Sequence, residues 1–189
     1  MKFCLRLCLT TFLLINAPVW AKEDVNKPHV GSMAPALSPQ EAQKRFTVPP
    51  GFEVRLFAAE PDVINPVAMS FDERGRLWIV ELYEYPYEKP KNETRKGRDR
   101  VICLEDPDGI GHATKRTVVV EGLWLATAIT YGNGGIYVGQ APDVYFYPIT
   151  ETPDGPKAGT RKTILTGFGL DDKHELLNSF CWDRMAGSI

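Results

Sequence analysis

"VAMSFDERGRLWIVEL" (residues 67–82) sets two short apolar runs on either side of Asp72-Glu73-Arg74-Gly75. A polar four-residue turn closing on glycine between two such runs predicts a β-hairpin. The same grammar continues along the chain. "RVICLE" and "RTVVVEG" flank "DPDGIGHATK"; "ATAIT" and "GIYVGQ" flank "YGNG"; "DVYFYPIT" and "RKTILTG" flank "ETPDGPKAGT". Upstream, "FEVRLFAAE" (52–60) alternates and is expected to be a further strand. No amphipathic helical period follows residue 46.

The hairpins repeat. Pro107-Asp108-Gly109 returns as Pro153-Asp154-Gly155, and "KRTVV" (115–119) as "RKTIL" (161–165), both 46 residues on. "GRLWIVE" (75–81) returns as "GGIYVGQ" (134–140), 59 residues on, with the basic stretch Lys89–Arg100 absorbing the difference. Short strands recurring at this spacing with glycine-marked turns point to β-propeller blades. A blade is a small sheet that cannot bury both faces alone, so it needs a neighbour on each side. The expected fold class is all-β, a partial propeller of about two blades over residues 47–182. "NSFCW" (178–182) is expected to be the first strand of another.

What precedes the sheets reads differently. "MKFCLRLCLTTFLLINAPVWA" (1–21) has Lys2 and Arg6, then an apolar run, then Ala21, the pattern of a signal peptide cut after Ala21. The expected location is therefore exported, periplasmic or at the cell surface. The apolar run is short and interrupted by Pro18, which disfavours a transmembrane anchor. Residues 22–37 mix Pro, Gly and charge and read as a flexible tether. Ser38, Pro39 and Glu41 form a capping box, predicting a short helix within residues 38–46, stopped by "VPPG".

Removing residues 1–21 takes two basic residues away, leaving 20 Lys and Arg against 24 acids, a formal charge of −4. Nothing in this composition suggests a nucleic-acid partner. The basic run also carries acids and reads as a solvated loop. Within it, Asn92-Glu93-Thr94 is a glycosylation sequon, meaningful only in a glycosylating host. Cys103 and Cys181 remain in the mature chain, with no metal or redox spacing; a disulfide and two separate thiols are both open. There is no C-x-x-C-H for covalent haem, and no P-loop, G-x-G-x-x-G, H-E-x-x-H or G-x-S-x-G, so nucleotide-binding and hydrolase classes have no support.

Three stretches carry a family resemblance: "SPQEAQKRFTVPPGFEVRLFAAEPDVINPVAMSFDERGRLWIVE" (38–81), "GRDRVICLEDPDGIGHATKRTVVVEGL" (97–123) and "GFGLDDKHELLNSFCW" (167–182). In that order they resemble the N-terminal region of the large secreted proteins called membrane-bound dehydrogenases in planctomycetes and verrucomicrobia. That family's propeller is similar to those of glucose and sorbosone dehydrogenases, which use pyrroloquinoline quinone (PQQ). The resemblance implies an exported quinoprotein-type dehydrogenase acting on a sugar or similar alcohol, with further propeller blades as partners of those present. A non-catalytic propeller that binds carbohydrate or protein at the cell surface is the alternative. It also implies that "NSF-x-W" continues as "GPDGWLY". In a synonymous back-translation, one nucleotide inserted after the Trp182 codon turns "WDRMAGSI" into "WGPDGWLY". Residues 183–189 are therefore expected to be out of frame, and the fragment inactive alone; the nucleotide sequence decides.

The resemblance also selects candidate residues. His174 is the candidate catalytic base, since imidazole titrates near neutrality and can take a hydroxyl proton as hydride leaves. Family members often carry two adjacent histidines here, and this chain has His174-Glu175; a loop histidine bonded to backbone is the structural alternative. Asp171, Asp172 and Glu175 stand near it as ligands, orienters or surface acids. Asp106 and Asp108 lie in "EDPDGIGHA", which resembles a D-x-D-G-D-G turn able to wrap Ca²⁺, although Ile110 replaces one ligand; an Asx-type turn is the alternative. Trp78, Trp124, Tyr137 and Tyr145 alternate with aliphatics and are expected in the blade core rather than as a quinone platform.

Overall fold

The computed structural model describes residues 35–182 except 88, 90 and 91. The expected leader, nearly all of the tether and the expected out-of-frame tail lie outside the described residues. The chain divides after Ala36 into two units, and the helix and both sheets belong to the second.

Helix α1 (Pro39–Gln43) starts as the capping box requires: Ser38 Oγ accepts from Glu41 N, and Glu41 accepts from Ser38 N at 3.0 Å. Next come β1 (Pro66–Phe71), β2 (Leu77–Glu81), β3 (Asp99–Glu105) and β4 (Lys115–Leu123), an antiparallel sheet in chain order. The second sheet holds β5 (Ala128–Gly132), β6 (Gly135–Gln140), β7 (Asp143–Thr152), β8 (Gly155–Ala158) and β9 (Lys162–Thr166). The protein is thus all-β, and the first three hairpins stand where alternation and glycine place them. The β5–β6 turn is the clearest case. Asn133 and Gly134 have φ of 51° and 73°, the two positive values that a two-residue type I′ turn needs.

The sheets stack as blades do, β1 and β2 against β5, and β4 against β8. Between them lies one apolar layer: Trp78, Val80, Val101 and Cys103 from the first sheet meet Ile129, Ile136, Val138, Tyr145 and Tyr147 from the second. Each large aliphatic or aromatic side chain so buried contributes about 1.5–3 kcal/mol. Successive residues of β2 point oppositely, so Leu77 and Ile79 face away, where Phe57, Ala58 and Val63 cover them.

An interblade contact recurs. Ser70 lies opposite Trp78, and its Oγ accepts from Tyr131 N at 3.1 Å while the Tyr131 ring packs on Trp78 at 5.3 Å. Thr130 lies opposite Tyr137, and its Oγ1 accepts from Trp182 Nε1 at 3.0 Å while the Trp182 ring packs on Tyr137 at 5.9 Å. Trp182 therefore sits on the second sheet as Tyr131 sits on the first.

Four expectations are corrected. Residues 52–60 form no ladder. Val54 O accepts from the Gln43 side chain and Phe57 O from Ala113 N, so the alternation reflects packing onto the first sheet, not pairing. The turn expected between "DVYFYPIT" and "RKTILTG" contains β8, because β7 is long enough to pair β9 along its first half and β8 along its second. Residues 178–182 form no strand. Tyr137 lies on the outward face of the second sheet, against Phe146 and Trp182, rather than in the layer between the sheets.

Candidate functional site

β1 and β5 begin, and β2 and β6 end, at the same end of the two sheets. The connections at that end carry residues 82–98, 124–127 and 167–182, and His174 lies there. Its Nδ1 is 2.6 Å from the Tyr85 hydroxyl, and the rings meet edge-on, with centroids 6.0 Å apart. Asp172 Oδ1 accepts from the His174 backbone N at 2.8 Å. Beside the pair is an open groove of about 210 Å³ lined by Val67, Leu82, Thr127, Lys173, Leu176 and Asn178.

Both loops are fixed from below. Leu176 is buried with Leu82, Leu125 and Ala141, and Leu177 O accepts from Thr127 Oγ1 at 2.5 Å. On the Tyr85 side, fully buried Asp99 accepts from Tyr83 N at 2.6 Å, Glu84 N at 2.8 Å and Ala126 N at 3.3 Å. Burial pushes the Asp99 carboxyl up, and these N–H bonds only partly offset it. Glu84, also buried, holds Arg95 through both carboxylate oxygens and accepts from Arg98 N and Nε. The bonds from Arg95, more than the opposing burial, bring its carboxyl down to about 2. Arg95 also lies 4.3 Å over the Trp124 ring. The basic run is thus not simply a solvated loop: two of its arginines clamp a buried acid.

A second buried acid braces the start of this loop. Glu81 accepts from Arg100 Nε at 2.5 Å, Arg116 Nη2 at 3.1 Å and Ile64 N at 2.9 Å. Burial acts to raise its carboxyl, but these partners hold it below the usual range.

Asp106 and Asp108 are placed elsewhere, at the opposite end of the first sheet, in the β3–β4 turn. Asp106 Oδ1 accepts from Ile110 N at 3.0 Å and Oδ2 from Gly111 N at 2.7 Å, bonds that lower its carboxyl. Among the described residues no group of three His, Cys, Asp or Glu could hold a metal ion. Asp106 thus caps the turn through backbone bonds. Asp171 and Glu175 are exposed.

Trp78 and Tyr145 are core residues, with Trp78 Nε1 donating to Asp72 and the Tyr145 hydroxyl to Asp143. Cys103 is buried and Cys181 exposed, and both are free thiols. Burial raises the Cys103 thiol to about 12. Sequence reasoning did not single out Tyr85. Its partner is 89 residues away, and no local pattern connects them.

A family model described as "Domain of unknown function (DUF7133)" matches residues 38–184. A crystal structure from Thermus thermophilus, described as a "putative oxidoreductase (glucose dehydrogenase)", is 17% identical with a TM-score of 0.39. The match covers 61% of this chain and 35% of that one, so the chain spans about a third of its length. The likeness is too slight to bear on activity. No curated protein matches.

Proposed function

The chain belongs to the family described as "Domain of unknown function (DUF7133)", and from its site geometry we propose that it forms part of an exported quinoprotein-type dehydrogenase propeller oxidising a sugar or similar alcohol. The observation that carries this reading is the His174–Tyr85 pair, braced at the loop end of stacked sheets beside an open groove. A histidine with one ring nitrogen held and the other available suits general-base chemistry. PQQ, when bound, supplies the acceptor for the hydride leaving the carbinol carbon. The chain's own part is to take the hydroxyl proton at His174 Nε2, leaving a carbonyl product. Lys173 and Asn178 line the groove and would be the residues to meet a carboxylate of the quinone or a sugar hydroxyl. Buried Trp78 and Tyr145 supply no platform for it. Calcium belongs to the same proposal, with Asp106 and Asp108 as its candidate ligands.

The test is dye reduction by a protein of this family carrying a full ring of sheets. Turnover is expected only with PQQ and Ca²⁺ added, and it should fall at least about a hundredfold in His174→Gln. Residues 22–189 alone should show no turnover. The second reading, a carbohydrate-binding module, is favoured by Tyr85, which lines the groove and is 44% exposed; a flat aromatic face suits sugar rings. Glycan binding without turnover supports it and overturns the first.

A further inference from the structure

We propose that Tyr85 is the positioning residue of His174: its hydroxyl oxygen accepts from Nδ1–H and so fixes the tautomer in which Nε2 is the unprotonated nitrogen. The consequence for catalysis rests on the dehydrogenase reading; the tautomer does not.

A neutral imidazole carries one N–H, and the nitrogen that holds it is set by what the other nitrogen meets. Here the ring's hydrogen-bond partner is a phenol 2.6 Å from Nδ1. A hydroxyl can donate or accept, so distance alone leaves two arrangements. In one the phenol donates to Nδ1, and the proton sits on Nε2. In the other Nδ1–H donates to the phenol oxygen, and Nε2 keeps its lone pair.

The protonated ring favours the second. An imidazolium is a donor at both nitrogens, so Tyr85 must then accept at Nδ1. Losing the Nε2 proton from that state leaves the Nδ1–H···O bond untouched. Losing the Nδ1 proton instead breaks that bond and requires the hydroxyl to swing round and donate. The outward nitrogen is the one that exchanges its proton without rebuilding the contact. Among the described residues no carboxylate bonds the ring; Asp172 Oδ1 accepts from the His174 backbone N instead. Setting the tautomer therefore falls to Tyr85.

Tyr85 is suited to the part because its own loop is anchored. Asp99 holds the two preceding backbone N–H groups, and Arg95 and Arg98 hold Glu84. The phenol thus meets the ring from an anchored loop, and buried Leu176 anchors the loop that carries the ring.

The test is nitrogen-15 NMR of the full chain with labelled histidine, at a pH where the ring is neutral. The chain has three histidines, and the His174 signals are those lost in His174→Gln. Wild type is expected to show Nδ1 protonated and Nε2 unprotonated. Tyr85→Phe, which keeps the ring and loses the oxygen, is expected to move the proton to Nε2. Two results overturn the proposal: Nε2–H in wild type, or Nδ1–H unchanged in Tyr85→Phe. Should that variant unfold, the wild-type spectrum decides, with solvent-protected Nδ1–H in support and Nε2–H against. In a full-ring enzyme Tyr85→Phe should lower kcat about tenfold or more with little change in KM. The expected tautomers without any quinone-dependent turnover would remove the dehydrogenase reading and leave the positioning role standing.

Discussion

Glu84 shows how much one side chain does here. It is buried, yet it gathers two arginines and the Arg98 backbone N–H, and so holds the loop that carries Tyr85. Its carboxyl lies at about 2 in the folded protein, against 4.5 ordinarily. A carboxyl depressed on folding adds stability above its unfolded value and loses it as pH falls toward the folded one. Stability should therefore drop between about pH 4.5 and pH 2, read by urea melts across that range. Glu84→Gln should flatten this part of the profile and cost about 1–3 kcal/mol at neutral pH, since a buried acceptor loses its charge-assisted bonds. None of this was legible beforehand. The run Lys89–Arg100 looks like a solvated loop because its partner acid, Glu84, lies outside it. Tyr85 was hidden for the same reason, its role depending on a residue 89 positions away. Ser38 was readable because both halves of its capping box lie within four residues.

Among the elements, the hairpins were legible because each is a local object: an alternating run, a glycine turn, a second run. β8 was not. "GPKA" has no strand pattern, and it pairs only because β7 extends past the end of β9. Residues 52–60 mislead in the opposite sense, since alternation reports which side chains face apolar surface and not whether the backbone has a partner. What joins the two sheets was likewise invisible. Arg76, 6% exposed, donates from Nε to Asp72 at 2.7 Å and from both Nη atoms to Glu151 of β7 at 2.9 and 2.7 Å. It thereby ties the turn before β2 to the second sheet. Its guanidinium pKa is raised: burial opposes the charge, but Glu151 and Asp72 outweigh that. Arg76→Ala leaves Asp72 buried with its charge uncompensated, a loss of the kind that costs about 3–5 kcal/mol. Arg76→Lys should recover only part, because a lysine cannot reproduce the two-pronged contact with Glu151. Chemical denaturation of the three proteins measures both.

For the molecule as a whole, the repeat predicts sheets that lean on neighbours, and the two sheets do. The outer face of the first is only partly covered. Residues 52–63 lie over β2 and β3, leaving an apolar groove of about 700 Å³ between α1 and β1. On β1, Val67, Met69 and Phe71 are 47%, 68% and 61% exposed. An apolar strand open at its edge and on its face invites association. Residues 38–182 expressed alone should bind a hydrophobic dye and sediment as more than a monomer. Met69→Lys with Phe71→Lys should reduce both signals without loss of β circular dichroism; a dye-silent monomeric wild type would contradict this. The sheet repeat and the end of the molecule that carries the site follow from sequence periodicity. The depth and walls of the groove do not, because they depend on loops from both sheets meeting.

The seat of Trp182 on Tyr137 has a practical consequence. It places a fluorophore and, one residue before it, the exposed thiol of Cys181 at the outward surface of the second sheet. In a chain lacking residues 1–21 the other thiol is Cys103, buried and ionising only near 12. An alkylating label will therefore report from one location. Emission from the neighbouring indole, quenched or restored, will then show when that surface acquires a lid.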